Sequence, residues 1–164
     1  KMVSILFSCE KMAFEIVEHK SKYNHDFYIL NKSWIERHWE LEEADNQTLL
    51  KPEKSIIQMG GQIFFLLHET KVIGTVAMIP NKKHTLELAK MTVKKEFRGL
   101  GLSKKLMDKC IDFAKELGYN EIFLISNRKL KTARELYNKY NFKEVPIDSK
   151  KYLRGDVKLI LTLK

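Results

Sequence analysis

The stretch TLELAKMTVKKEFRGLGLSKKLMD, Thr85–Asp108, decides how this chain folds. Its first nine residues read as a strand, and Leu102, Leu106, Cys110 and Phe113 recur behind it at helical spacing. Between the two lies a turn holding Gly99 and Gly101. Glycine removes the side chains that would fence off main-chain N–H groups, and a helix that begins there points several unpaired donors outward. Such a turn suits an anion, most naturally a phosphate, because the helix N-terminus adds a fractional positive charge.

Working outward, the next segment, EIFLIS at Glu121–Ser126, is a short continuous apolar run of the kind buried on both faces. It follows a helix that follows a strand, so it is expected parallel to TLELAKMTV, closing a β-α-β unit. Upstream, GQIFFLLHE and VIGTVAMIP read as a hairpin across a short turn, with TLELAKMTV as the third antiparallel strand. The alternating MAFEIVEH from Met12 is a half-buried strand, and the residues before it, 1–11, are expected to be an N-terminal extension.

The apolar residues Phe27, Leu30, Trp34, Ile35 and Trp39 predict helix from Asp26 to about Glu43, with Ser33 and Glu36 as a capping box that restarts it. A second short helix is expected from Pro52 to the stop at Gly60 and Gly61. Gly118 is expected as a left-handed cap on the glycine-turn helix. Thr132 and Glu135 read as a capping box opening the helix ARELYNKY, and FKEVP and DVKLILTL as two closing antiparallel strands. The order β-α-α-β-β-β-α-β-α-β-β predicts an α/β (α+β) domain, a mixed central sheet flanked by helices on both faces.

With 164 residues the chain is long enough for one core and short for two, and at 44% hydrophobic and 31% charged residues it reads as globular. The net charge of +9 favours anionic cofactors or partners, but the basic residues are spread along the chain, which weakens a nucleic-acid reading. Cys9 and Cys110 share no metal-like spacing with the histidines, so no metal is expected and Cys110 reads as a buried free thiol. The apolar run VSILF is too short for a signal peptide or a membrane span, which places the protein in the cytoplasm with no membrane partner. A homodimer is compatible with the sequence, which does not give the oligomeric state.

Two motifs together resemble the GNAT N-acetyltransferase superfamily, from Met12 to Lys164. The family's Arg/Gln-x-x-Gly-x-Gly/Ala turn corresponds to Arg98 and Gly101, with Ser103 as a small residue in the last position. Its later Ala-x-x-Leu-Tyr-x-x-x-Gly-Phe corresponds to ARELYNKYNF, with Asn141 replacing glycine; asparagine is the next best residue for a left-handed turn. The resemblance implies a GNAT acyl-CoA N-acyltransferase fold over 12–164 and transfer of acetyl from acetyl-CoA to an amine of a small molecule or peptide.

The anion at the turn is then the pyrophosphate of coenzyme A, cradled by the backbone of Arg98, Gly99, Leu100, Gly101, Leu102, Ser103 and Lys104. The family splays two parallel strands to admit the pantetheine arm. Here these are ELAKMTV and FLISN, so main-chain groups of Met91 and Val93 meet the arm and the thioester carbonyl. Asn127 either donates to the same arm or is a strand-end turn residue. Tyr137 matches the tyrosine that protonates the departing thiolate. Glu87 is the candidate base, where one branch of the family carries a glutamate; an exposed strand residue is the alternative. The acceptor site falls to Trp34, His38, Glu42 and, for a carboxylate, Arg154, although helical spacing makes the tryptophans core residues first.

Two other classes compete: a coenzyme A-binding module without catalysis, which has no need of Tyr137 or Glu87, and a nucleic-acid-binding domain driven by charge.

Overall fold

The computed structural model of the protein describes residues 13–148, 150, 152 and 154–164. The extension expected over 1–11 lies outside the described residues, as does Cys9. The strands are β1 (Phe14–Glu18), β2 (Gln62–His68), β3 (Lys71–Pro80), β4 (Thr85–Val93), β5 (Glu121–Ser126), β6 (Lys143–Val145) and β7 (Val157–Thr162). The α-helices are α1 (Asn24–Glu36), α2 (Glu43–Leu50), α3 (Leu102–Glu116) and α4 (Lys131–Lys139).

The described strands form one seven-stranded sheet in the order β1-β2-β3-β4-β5-β7-β6. The β4–β5 pair is parallel and every other neighbouring pair is antiparallel, as expected for a β-α-β unit joined to hairpins. Strand β2 is apolar and buried from Ile63 to Leu67, as a strand covered on both sides must be. Phe64 and Leu66 join the core formed with Leu102, Leu106, Met107 and Cys110 of α3. Ile63, Phe65 and Leu67 join the core formed with Phe27, Leu30 and Ile35 of α1 and Leu49 of α2. The sheet thus has α1 and α2 on one face and α3 and α4 on the other, the mixed, doubly covered sheet the sequence predicts.

The helical region before β2 differs from expectation. The predicted helix over Asp26–Glu43 stops at Glu36, and a separate α2 begins at Glu43. Its start is a reciprocal cap: the Glu42 side chain accepts the Asp45 N–H while the Asp45 carboxylate accepts the Glu42 N–H at 3.0 Å. Ser33 and Glu36 lie inside α1 and restart nothing. The helix expected after Pro52 is a single π-helical turn, Glu53–Ile57. Helix α4 starts at Lys131 behind Leu130 with no side-chain cap, so Thr132 is within the first turn and the Thr132–Glu135 box does not form. Asn141 has φ 64° and Gly118 φ 77°, the left-handed turns anticipated at both places.

Candidate active site

Strands β4 and β5 are paired at Thr85↔Glu121, Leu86↔Ile122 and Glu87↔Phe123 and then part, although both continue. Past that point, among the described residues, β4 is paired with β3, through Leu88, Ala89, Thr92 and Val93. In the same way, among the described residues, β5 is paired there with β7, through Leu124, Ile125 and Ser126. Each strand therefore presents one unpaired edge toward the other, a cleft lined by main-chain donors and acceptors.

A β-bulge in β4 accompanies the divergence. Ala77 faces Ala89 and Thr75 faces Thr92, so Val76 is opposed by both Lys90 and Met91. Lys90 takes φ 56°, a left-handed conformation that costs a side chain on the order of 1–2 kcal/mol. Before the bulge, Leu86 and Leu88 enter the α3-side core; after it, Met91 and Val93 do. Ala89 and Lys90 are consequently left together on the α1–α2 side.

The glycine turn follows directly. Gly99 and Gly101 have φ 79° and 74°, and a Cβ added at either would meet nothing within 4 Å. Among the described residues no hydrogen bond is made by the N–H groups from Gly99 to Lys104; the first helical bond of this end runs from Lys105 N–H to the Gly101 carbonyl. The Arg98 N–H is already given to the Lys95 carbonyl at 3.2 Å, and its Nε donates to the Val93 carbonyl at 3.1 Å. Arg98 therefore ties the turn to the end of β4, while the open donors begin one residue later.

Tyr137 lies on α4 with its ring against Phe142, centroids 5.8 Å apart, and packs on the α3-side core. Burial pushes its hydroxyl up to about 12, so it stays protonated at neutral pH, and among the described residues nothing hydrogen-bonds it. Tyr140 is different: its hydroxyl donates toward the Asp108 carboxylate at 2.5 Å and the Lys104 carbonyl at 3.1 Å, locking α4 to α3. Cys110 is buried in α3, and burial pushes its thiol up, which fits an inert core residue.

Glu87 occupies the last paired rung before the strands part, opposite Phe123 on one side and Ile79 on the other. Its neighbours Leu86 and Leu88 enter the α3-side core, and Ile79 packs on the α1-side core, so Glu87 lies on the α1–α2 side.

The loops over that side come together. Trp34, His38 and Trp39 are in mutual ring contact at 5.3–5.6 Å, and the Lys129 ammonium sits 4.0 Å from the Trp39 ring centre. Glu42 caps α2. Arg154 is bound bidentately to Asp45 and also donates to the Glu40 carbonyl at 3.4 Å. Asp45 additionally accepts Lys90 Nζ at 3.1 Å. Burial alone would raise the Asp45 carboxyl, but the Arg154 hydrogen bond, the Glu42 N–H and Lys90 outweigh it and hold it at about 2. Asn127 donates to the Arg154 carbonyl at 2.9 Å and accepts the Lys129 N–H at 3.0 Å, so its side chain is spent on the turn after β5.

Arg154, expected to receive a carboxylate, is neutralised by one of the protein's own, Glu42 is engaged in capping α2, and the Arg98 N–H is given to Lys95 instead of to the open turn. Of the two readings for Asn127, its hydrogen bonds match the turn residue. Sequence reasoning passed over Asp45, Lys90 and Lys129. The one legible signal was in β4. The alternation set by Leu86 and Leu88 makes Lys90 the next core position, yet the apolar side chain comes one residue later, at Met91, as a bulge requires.

Residues 12–142 match the family model described as the Acetyltransferase (GNAT) family. Human N-acetyltransferase 8B is 33% identical over 97 residues, covering 56% of this chain and 43% of that protein. The N-acetylaspartate synthetase of Xenopus tropicalis is 33% identical over 91 residues, 55% of this chain and 34% of that protein. The chain spans less than half the length of these curated relatives. A GNAT-family acetyltransferase of Staphylococcus aureus superposes with TM-score 0.85 at 25% identity, over 93% of this chain and 100% of the other. The PaiA N-acetyltransferase of Thermoplasma acidophilum, in complex with coenzyme A, shares the fold with TM-score 0.73 at 17% identity, over 93% of this chain and 100% of that one.

Proposed function

The chain belongs to the GNAT acetyltransferase family, and from that premise we propose that it moves an acetyl group from acetyl-CoA to an amine, of a small molecule or a peptide, by direct transfer in a ternary complex. The observation that carries this reading is the run of unpaired main-chain N–H groups from Gly99 to Lys104 at the start of α3, set beside the cleft where β4 and β5 part.

These donors would hold the pyrophosphate of acetyl-CoA, with the α3 N-terminus contributing fractional positive charge and Lys104 a full one. The unpaired edge of β4 would lie along the pantetheine arm. A main-chain N–H near Met91 would then face the thioester oxygen and stabilise the negative charge that develops there. The bulge supports this role, since it redirects the backbone at that place.

In the transfer itself, the amine nitrogen bonds to the carbonyl carbon, the carbon–sulfur bond breaks, and a proton passes in net from nitrogen to sulfur. Tyr137 would supply the proton to sulfur; its hydroxyl is protonated at neutral pH and, among the described residues, unshared. Glu87, at the mouth of the cleft, would receive the amine proton directly or through water. A Tyr137 hydroxyl that nothing among the described residues hydrogen-bonds favours an enzyme over a module that only binds coenzyme A, since the packing of the ring against Phe142 does not require a hydroxyl.

No helix among the described residues is long and apolar enough to cross a membrane. The reading takes the cytoplasm, as a source of acetyl-CoA, for the site of action. The test is to follow thiol release from acetyl-CoA against a panel of amines, amino acids, aminoglycosides and basic peptides. Release that depends on the acceptor supports the reading, and binding of coenzyme A without release for any amine overturns it.

A further inference from the structure

Asp45 gives both of its oxygens to Arg154 and accepts the Glu42 N–H and Lys90 Nζ besides, so its acceptor capacity is filled. Its single negative charge is matched by the bidentate guanidinium. Glu42 also acts on Arg154, but its carboxylate is turned to the Asp45 N–H at the start of α2. Arg154 thus balances Asp45, and Lys90 brings a second positive charge to the same carboxylate. Its ammonium has three donors, and among the described residues Asp45 is its one partner, at 3.1 Å, with the side chain 20% exposed.

Its position is unusual as well. Lys90 sits in the β4 bulge at φ 56°, where glycine would rest without strain, and it immediately precedes Met91 on the strand that edges the cleft. The bulge turns its side chain to the side where Glu87, α2 and the loop carrying Arg154 converge, instead of to the core behind α3. A half-buried ammonium with spare donors, one residue before Met91 on the strand that edges the cleft and on the same side as Glu87, is suited to a carboxylate.

We infer that Lys90 is the specificity-determining residue for the acceptor and that it receives a carboxylate carried by the acceptor amine, so that the substrate class is amino acids or similar amino-carboxylates. This rests on the acetyl-transfer reading above. Asp45 and Arg154 act as positioning residues: the pair braces α2 against the loop before β7 and fixes the direction of the Lys90 side chain from one side.

The experiment compares phenylalanine, methionine and aspartate with their α-carboxamides as acceptors, measuring kcat/KM with acetyl-CoA for the unaltered protein and for Lys90→Met, Lys90→Gln and Lys90→Arg. The carboxamides have the less basic and more readily deprotonated amine, so a preference for the acids reflects recognition and not reactivity. The unaltered protein is expected to favour at least one acid over its carboxamide by about tenfold or more, the scale of a hydrogen bond to a charged group. Lys90→Met and Lys90→Gln should bring that ratio close to one, chiefly through KM of the acid, and Lys90→Arg should restore part of it. Equal use of acid and carboxamide by the unaltered protein overturns the inference while leaving acetyl transfer standing. So does a preference that survives in a folded Lys90→Met or Lys90→Gln protein, with folding checked by thermal melting. Coenzyme A binding without acetylation of any amine overturns the acetyl-transfer reading, and this inference with it. If neither neutral variant folds, the acid-to-carboxamide ratio of the unaltered protein decides.

Discussion

Asp45 and Arg154, 109 residues apart in the chain, meet as a two-point carboxylate–guanidinium pair at 2.6 and 2.7 Å. Asp45 sits in the first turn of α2 and Arg154 in the segment between β6 and β7, so the pair ties together two segments that share no strand pairing. The Asp45 side chain is 4% exposed, and removing one member of a buried pair leaves the other charge uncompensated.

Asp45→Ala is therefore predicted to destabilise the fold by about 3 kcal/mol, because Arg154 and Lys90 would then face each other without a counter-charge. For a chain of this length that corresponds to a fall in melting temperature of roughly 6–12 °C. Calorimetric melting at neutral pH measures it, and a variant that melts with the unaltered protein would show that the cluster contributes nothing to stability.

The same carboxyl predicts an acid-sensitive contribution. Its pKa is lowered in the fold from 3.8 to about 2, so the stabilisation is fully present above 3.8 and is lost as pH falls toward 2. Integrated over that window it amounts to roughly 2 kcal/mol. Urea midpoints of the unaltered protein and of Asp45→Asn should differ clearly at pH 6, and the gap should shrink at pH 2.5. A gap that does not change with pH would contradict this assignment. Glu53, whose pKa is also lowered, chiefly by the Asn24 hydrogen bond, titrates alike in both proteins and cancels.

Tyr137 and Tyr140 should separate by the kind of damage they cause. Tyr137→Phe removes a hydroxyl that holds nothing in place, so kcat should drop by about a hundredfold or more with little change in melting or in acetyl-CoA affinity. Tyr140→Phe removes the bonds to Asp108 and Lys104 and should cost about 1 kcal/mol of stability. Equal loss of turnover and of acetyl-CoA affinity in Tyr137→Phe would assign that hydroxyl to binding instead.

Much of this was legible beforehand, and the reasons are local. The apolar runs of β2, β3 and β5, the glycines of the turn and the positive φ at Asn141 and Gly118 each follow from a strong neighbouring preference of the chain. Helix α2 was not legible, because EADNQTLL has little apolar periodicity and its start depends on Glu42 and Asp45 satisfying each other. The extended reading of α1 failed for a related reason: Trp39 keeps helical spacing with Trp34 and Ile35 but belongs to the turn, where it packs under Lys129. At the site, the donors of the turn were foreseen while the Asp45–Lys90–Arg154 cluster was not. Its members come from α2, a strand bulge and a late loop, and no spacing in the sequence records a contact between elements that meet only in the fold.

The glycine turn supplies the prediction on which the rest depends. A β-branched side chain at Gly99 or Gly101 is strained by the positive φ, at a cost on the order of 1–2 kcal/mol for each, yet its Cβ meets no neighbour within 4 Å, and the fold is expected to survive. What it fences off is the row of N–H groups that begins there.

The most direct measurement is calorimetric titration of coenzyme A into the unaltered chain and into Gly99→Val and Gly101→Val, each first shown to melt cooperatively. The turn as an anion cradle predicts one site per chain with Kd on the order of micromolar, weakened by about tenfold or more in both folded variants. No heat of binding to the unaltered chain, or the same Kd in the valine variants, would contradict it.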